Sequence, residues 1–592
     1  MDGLTLFNCF CTGAEEVGNQ RQLLNQINVF PVADGDTGNN LIHTMKTVVQ
    51  RSKPVSSVME TLQSMGSAAL YGARGNSGLI FAQFIIGLSQ DSPASEWTPQ
   101  SFVSSLEKGA SQAYTAVQTP VEGTILSVIR GFLEYCKENL PSVDSLKTLL
   151  VNSLPHLDAL VDQTQSQMKV LRDARTVDAG AKGFVTFLHG FVQGLLGRLP
   201  HLEGLQASAQ QELAAPHLLT ERPVQRYCTE FMLQTHKKTD LSALRADLAD
   251  LGDSFVLGGN QNFIRLHLHT NTPWELTKRI RSYGNILEQK VDDMCMEYLD
   301  AHLAHPKIAL VVDSMSDLPV HIREHYGIHQ VPMNLMVGEQ AFLDDLTIDH
   351  EMLKEEINGQ EKLSTSQPSP AMVQEMFTKL AEHYQAIIGL TVSSGLSGTY
   401  NSFVTAAENM KDRLPVRIVD SMQNSSAVGM VAVSIAKDIQ AGLELDEICC
   451  RAEETRKNAT IYVSLTSIDN MVRSGRISKP FGKVANFVRL KPLISIDENG
   501  KGSIPVKSLG VRQNQAQLEN LLRSHHQFSP ITSYSLSYAD DTARLEWLKE
   551  AAEKIIGFPP AFIHKISPVL LLLAGSGSVA IGFLQQKKGT LK

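Results

Sequence analysis

The sequence predicts a multidomain protein: an all-α region, then a small α+β unit, then a two-subdomain α/β unit. Three observations carry this. The chain has 592 residues, too many for one hydrophobic core. Through residue 198, apolar residues recur at helical spacing between breakers such as Pro54, Pro120 and Pro141, and strand-like alternation is absent. Beyond residue 224, alternating and continuous apolar runs appear, as at residues 263–270 and 307–314. The expected domains are residues 1–199, 224–304 and 305–592, with an Ala-, Gln-, Leu- and Glu-rich connector at residues 200–223.

Bulk composition narrows the function classes. Hydrophobic content of 43% and charged content of 19% are ordinary for a folded chain. Lys plus Arg total 53 against 62 Asp plus Glu, a net charge of −9, which disfavours nucleic acid as partner. Seven cysteines (Cys9, Cys11, Cys136, Cys228, Cys295, Cys449 and Cys450) are odd in number and sparse, so no disulfide framework is expected. The start MDGLTLFNCF has an acid where a signal peptide carries a base, so a cytoplasmic protein is expected. Residues 568–584 are apolar and near the short end of a membrane span. Gly575, Ser576, Gly577, Ser578 and Gly582 divide them into strand, turn and helix start, so a buried strand is expected and no integral membrane segment.

In the all-α region, eight segments begin near Gly13, Asn39, Val55, Ser77, Gln100, Thr124, Ser145 and Ala179. Eight amphipathic helices can form a bundle or a barrel with a site at one end. Residues 28–40 read NVFPVADGDTGNN. Asp34 and Asp36 lie two apart, so in an extended loop their carboxylates share a side and could share magnesium. Thr37, Gly38, Asn39 and Asn40 lead into Leu41, Ile42, Met45 and Val48 at helical spacing, and N–H groups at that helix start would face phosphates. An Asx turn with a helix cap is the plain alternative.

Three more strings sit at segment ends: GARGNSG (72–78, with Arg74, Gly75, Asn76, Ser77 and Gly78), TPVEGTIL (119–126, with Thr124) and VDAGAKG (177–183, with Asp178 and Gly180). Singly, each reads first as a cap or tight turn. No Walker A string is present. No histidine lies in these strings, and His43 follows the acidic loop. A hydroxyl acceptor benefits from a base whereas a carboxylate arrives ionised, so a carboxylate acceptor is favoured.

Taken in this order, the strings resemble the nucleotide-binding subunit of dihydroxyacetone kinases, and more closely the ATP-binding protein of bacterial fatty acid kinases. The resemblance implies an eight-helix barrel holding MgATP at its open end. It implies magnesium on Asp34 and Asp36, with Asn28 standing where small-molecule kinases carry an aspartate.

In the small α+β unit, residues 227–233 read as a strand, 240–251 as a helix and 263–270 as a second strand. His267 and His269 lie on one face of that strand, and Cys228 on a neighbouring strand could complete a zinc ligand set. The residues alone leave zinc and ordinary strand histidines both open. The segment resembles the fatty acid kinase middle domain, which implies zinc on Cys228, His267 and His269.

In the last unit, strands at residues 307–314, 386–392 and 416–419 alternate with helices, predicting a largely parallel sheet. Polar strings follow the strands: Asp313-Ser314, STSQPSP (364–370), SSGLSGT (393–399) and Asp420-Ser421. Sites gather at such strand ends, and hydroxyls with helix-start N–H groups can hold a carboxylate or phosphate. No Gly-x-Ser-x-Gly elbow is present. These strings, with SGRIS (474–478), resemble the DegV family of fatty acid–binding proteins from about residue 307 onward. That implies an acyl chain buried between two subdomains, its carboxylate on Thr365 and Ser394, with Ser393 as alternate and Arg476 nearby. Leu573 falls where that family often has histidine.

Together the resemblances imply an ATP-dependent fatty acid kinase making an acyl phosphate, using ATP, Mg²⁺ and Zn²⁺. The implied partners are a fatty acid, a second copy of the chain if transfer crosses a dimer, and a downstream acyltransferase of phospholipid synthesis. The alternatives are a kinase for a small hydroxylated ketone and a non-catalytic lipid-binding regulator.

Overall fold

The computed structural model describes all residues except 32, 34, 94, 202–221, 237–238, 261, 303–306, 360, 474–489 and 587–592. Asp34, Arg476 and most of the expected connector therefore lie outside the described residues. The chain forms two compact units, Met1–His302 and Leu303–Lys592.

The first unit opens with eight long helices: α1 (Gly3–Asn19), α3 (Thr37–Arg51), α4 (Val58–Gly72), α5 (Gly75–Gln90), α6 (Pro99–Ala116), α7 (Ile125–Asn139), α8 (Leu146–Gln167) and α10 (Ala179–Leu195). Two short ones, α2 (Arg21–Gln26) and α9 (Lys169–Asp173), lie between them. Side-chain caps set many starts: Ser57 for α4, Thr98 for α6, Thr124 for α7, Ser145 for α8 and Asp178 for α10. The first helix starts ten residues before the expected Gly13, because Asp2 accepts the Thr5 N–H at 2.8 Å. Gly13 is mid-helix, where a Cβ would lie 2.6 Å from the Phe187 ring. Long helices adjacent in sequence pack on one another, and α10 packs on both α8 and α1. Phe10, Phe81 and Phe187 meet in the core between them.

A four-stranded antiparallel sheet follows: β1 (Tyr227–Thr235), β2 (Asp253–Gly259), β3 (Phe263–Thr270) and β4 (Gly284–Asp293), in the order β2-β3-β1-β4. Alternation decides its faces. Phe231, Leu233, Leu266 and Leu268 pack under the helices Leu241–Leu248 and Pro273–Ile280. Cys228, Glu230, Arg265, His267 and His269 occupy the opposite face, which meets the helical region. Docking there includes backbone pairing: the Gln118 N–H donates to the Phe255 carbonyl at 3.2 Å, and Val117 bridges Val256.

Among its described residues the second unit contains three sheets. The strands β5 (Ile308–Asp313), β6 (Ile328–Val331), β10 (Ala386–Thr391) and β11 (Val416–Asp420) form the expected parallel sheet, in the order β11-β10-β5-β6. A small antiparallel sheet holds β7 (Asn334–Val337), β8 (Gln340–Leu343) and β9 (Leu363–Ser366). The largest sheet corrects the parallel expectation. It contains β12 (Ala459–Ser464), β13 (Lys491–Ile496), β14 (Gly502–Ser508), β15 (Ile531–Tyr538), β16 (Ile563–Lys565) and β17 (Val579–Gln585), and only β15 and β16 pair in parallel.

The apolar run near the end is also corrected. Residues Pro568–Ala574 are a helix and the strand comes after the turn. Ser567 caps that helix, Pro568 is its first residue, and Asp344 accepts the Val569 N–H at 2.8 Å. No described helix is long and apolar enough to cross a membrane.

Candidate functional sites

In the first unit, three helix N-termini converge on a cavity of about 480 Å³. Asn76 and Ser77 come from α5, Thr124 to Leu126 from α7, and Asp178 and Gly180 from α10. Such ends carry N–H donors and partial positive charge, which suits phosphate. The Gly75, Ile125 and Ala181 N–H groups are already bonded to carboxylates. The Asn76 Oδ1 is buried and without a hydrogen-bond partner, an acceptor on a residue that lines the cavity. Residues 252–256 of the sheet close the opposite wall, with Phe30 and Pro31 of the acidic loop.

The remaining residues expected at this site have other surroundings. The Thr37 hydroxyl donates to Asn28 Oδ1. Gly38 lies against α2, where a Cβ would come 2.4 Å from the Arg21 carbonyl oxygen, and the Asn39 N–H donates to Asn25 Oδ1 at 3.2 Å. A Cβ on Gly75 would lie 2.2 Å from Asn40 Nδ2, and one on Gly78 2.5 Å from Thr44 Oγ1. Thr37, Gly38, Asn39, Asn40, Gly75 and Gly78 thus build the α2–α3–α5 contact behind the cavity and do not line it. Thr124 and Asp178 do both, lining the cavity while capping α7 and α10. Asp36 is half-buried at the start of α3, and its carboxylate makes no capping bond to that helix. His43 Nδ1 is hydrogen-bonded to the Gly72 carbonyl at 2.9 Å, and burial, reinforced by Arg74, pushes its pKa down to about 4.

The sheet's polar face holds the triad. Register sets Cys228 opposite His269 and Glu230 opposite His267. The ligating atoms of Cys228, His267 and His269 lie within 4.8 Å of one another, the one such group among the described residues. The two Nε2 atoms are 3.2 Å apart. Behind each ring stands a carboxylate: Glu230 Oε1 is 3.4 Å from His267 Nδ1, and Asp253 Oδ1 is 3.6 Å from His269 Nδ1. The Cys228 sulfur lies 3.9 Å from His267 Nδ1. A carboxylate beside each Nδ1 leaves the two neighbouring Nε2 atoms available as ligands. Two imidazoles and a thiol match the chemistry of zinc.

Burial holds the Cys228 thiol well above its usual range, so a cation would be needed to ionise it. Burial lowers His269, and among the smaller influences on both His269 and Cys228 is the charge of Asp36, so the acidic loop and the triad are neighbours. Burial would raise the Glu230 carboxyl, but His267, Lys290 and Arg265 outweigh it and hold it well below the carboxylate range.

In the second unit, a cavity of about 470 Å³ is lined largely by apolar side chains, among them Met315, Val463, Ile494, Leu570 and Leu573. Thr365, Gln367 and Ser397 supply polar groups. Ser393 and Ser394 do not line it. The Ser393 hydroxyl donates to the Gly500 carbonyl at 2.7 Å, and Ser394 is exposed with its N–H on the Asp420 carboxylate. The serine of SSGLSGT that reaches the cavity is Ser397. Buried carboxylates frame the adjoining turns: Asp313 accepts the Met315 and Val392 N–H groups, and Asp344 the Ser314 hydroxyl and Val569 N–H. Asp317 accepts from Ser425 and Ser567.

Comparison with known proteins follows the same divisions. Residues 31–193 match the DAK2 domain, and residues 224–299 the FakA-like middle domain of fatty acid kinases. Residues 307–586 match the uncharacterised proteins of the DegV family. One chain carries all three domains.

An uncharacterized protein of Staphylococcus epidermidis is 28% identical over 307 residues, 50% of this chain and 55% of that protein. The protein YloV of Bacillus subtilis is 28% identical over 309 residues, 50% of this chain and 56% of that protein. The chain thus spans about half the length of the curated relatives it matches. Among solved structures, a fatty acid-binding DegV family protein from Thermus thermophilus superposes with TM-score 0.43 at 22% identity, covering 47% of this chain and 99% of that chain. DegV, a fatty acid binding protein from Bacillus subtilis, gives TM-score 0.42 at 23% identity, covering 48% and 100%.

Three residues around the triad carry weaker signals in the sequence. Glu230 and Arg265 share the ligands' face at a spacing of two, which the alternation of β1 and β3 could have shown. Asp253 reaches His269 only through the β2–β3 register, which shifts between Asp253 and Val256. No local pattern gives it.

Proposed function

We propose that this chain is a fatty acid kinase. Residues 1–199 form the ATP- and magnesium-binding domain, read as a helical barrel, and residues 224–304 a middle domain with a zinc site. Residues 305–592 form the fatty acid-binding domain. The observation that carries this reading is a FakA-like middle domain lying between a DAK2 domain and a DegV domain. A cavity ringed by helix N-termini in the first unit and an apolar cavity in the second fit it.

The chemistry is in-line phosphoryl transfer. A carboxylate oxygen of the fatty acid forms a bond to the γ-phosphorus. The bond from that phosphorus to the β–γ bridging oxygen breaks, and ADP leaves with the electron pair. Asp36, with Asp34 and Asn28, would hold magnesium, which when bound neutralises charge on the phosphates. The starts of α5, α7 and α10 orient the triphosphate through N–H groups, with Asn76, Ser77 and Thr124 beside it. The acceptor is already ionised, so no base is required, consistent with a neutral His43 bonded to Gly72. Thr365 and Ser397 bind the fatty acid carboxylate, with Arg476 as the cation of that site.

Incubation with MgATP and oleate, with hydroxylamine trapping of acyl phosphate, tests the reading. Product is expected with oleate and none with dihydroxyacetone. Asp36→Ala should abolish product while native mass spectrometry still finds oleate bound. Phosphorylation of dihydroxyacetone would replace the reading with a small-molecule kinase. ATP binding without turnover on any acyl acceptor would replace it with a lipid-binding regulator.

A further inference from the structure

The N-terminus of α5 already has an anion on it. The Glu230 Oε1 accepts the Gly75 N–H at 2.6 Å, from 155 residues away in sequence. The same oxygen is 3.4 Å from His267 Nδ1. The second carboxylate oxygen, Oε2, is 3.6 Å from the Arg265 guanidinium. Arg265 in turn donates to the Tyr71 carbonyl, in the last turn of α4, at 2.8 Å and stands 3.3 Å from Glu288. Glu230 is 8% exposed and Arg265 7%, so neither contact is a screened surface pairing.

The loop held by this clamp has little slack. Gly75 sits at φ +58°, and a Cβ there would lie 2.2 Å from Asn40 Nδ2. The next two residues, Asn76 and Ser77, line the cavity. The triad's other histidine repeats the arrangement, since Asp253 lies 3.6 Å from His269 Nδ1 and lines the same cavity. Of the two carboxylates beside the triad, Glu230 alone is bonded to a helix start, and Asp253 lines the cavity wall.

We propose that Glu230 is a positioning residue that ties the Cys228–His267–His269 triad to the glycine loop at the start of α5, so that the loop's geometry depends on what the triad holds. A cation held by Cys228, His267 and His269 would fix the His267 ring and strengthen its hydrogen bond to Glu230. The carboxylate is shared between that ring and Gly75, so the position of one sets the position of the other. The consequence for nucleotide, which rests on the kinase reading, is that Glu230 affects MgATP affinity without touching the transferred phosphoryl group.

The test uses the full chain with zinc as the probe. Amide hydrogen exchange is followed at residues 75–77, with α6 (Pro99–Ala116) as internal control. Chelation of zinc from the wild-type chain should speed exchange at residues 75–77 by about tenfold and leave α6 unchanged, the size set by loss of one charge-assisted hydrogen bond. Glu230→Gln should give the faster rate with or without zinc while binding zinc at the wild-type ratio, and should raise the KM for MgATP with kcat little changed. Exchange at residues 75–77 that ignores both zinc removal and the substitution would overturn the proposal, as would a chain that takes up no zinc. Should Glu230→Gln unfold the region, exchange would rise in α6 as well, and the wild-type zinc comparison alone decides. A chain that binds no MgATP ends the kinase reading while leaving the exchange result to stand.

Discussion

The Asp178 carboxylate accepts the backbone N–H of Ile125 at 3.0 Å, joining the start of α7 to the start of α10, where the same oxygen caps Ala181 at 2.7 Å. Removing that oxygen frees two buried donors. Asp178→Ala should therefore lower stability by about 1–3 kcal/mol, the range for a lost cap and an unpaired buried group. Calorimetry of the full chain reads the shift. Burial raises the Asp178 carboxyl from 3.8 to about 6. The folded value is the higher one, so its contribution is fully present below about pH 4 and lost as pH rises through about 6. Exchange at the first turns of α7 and α10, corrected for intrinsic rate, should accelerate between about pH 5 and pH 7 by this linkage. Asp178→Asn should flatten that dependence.

Gly75→Ala is expected to fail twice over. The left-handed backbone costs an alanine about 1 kcal/mol, and Asn40 must move to admit the methyl group. The predicted outcome is a loss of about 2 kcal/mol or more in calorimetry, together with weaker MgATP binding by titration. An alanine chain as stable as wild type would show that this turn tolerates a side chain.

The two serines of the SSGLSGT string should separate cleanly. Ser397→Ala should weaken oleate binding by about tenfold to a hundredfold, the worth of one hydrogen bond to a charged group. Ser394→Ala should change it little, because that side chain is exposed and outside the cavity lining. Fluorescent fatty acid displacement measures both. Equal effects would reassign the carboxylate contact.

Burial also raises Asp313 to about 7, Asp317 to about 8 and Asp344 to about 6. Each folded value exceeds the unfolded 3.8, so the stability they contribute is present at low pH and falls as pH climbs through 6 to 8. The second unit should melt at a higher temperature at about pH 5.5 than at about pH 8.5. Asp317→Asn should narrow that gap.

Legibility in the sequence follows the locality of the signal. The bounds of β3 are readable because Phe263 to Thr270 alternate without interruption, and that pattern puts His267 and His269 on one face. The start of α10 is readable because Asp178 is both cap and last non-helical residue. The helix Pro568–Ala574 reads as a strand because seven apolar residues carry no period. Ser567 and Pro568 are the start signal that distinguishes it. The role of Ser393 is out of reach, since its partner Gly500 is 107 residues away in a turn between two strands. The glycines of GARGNSG read as phosphate contacts, yet Gly75 and Gly78 are needed for close helix packing, and Asn76 and Ser77 between them face the cavity.

The bond from Ser393 to Gly500 joins the end of the parallel sheet to the tip of the β13–β14 hairpin, in the same unit as the cavity lined from β9, β12, β13, β15 and β17. Gly395 lies under the same tip, where a Cβ would come 2.6 Å from the Gly500 oxygen. A stitch at one margin turns separation into rotation. Were the hairpin to part from the parallel sheet with this bond intact, the motion would pivot about Gly500, like a book opening from its spine.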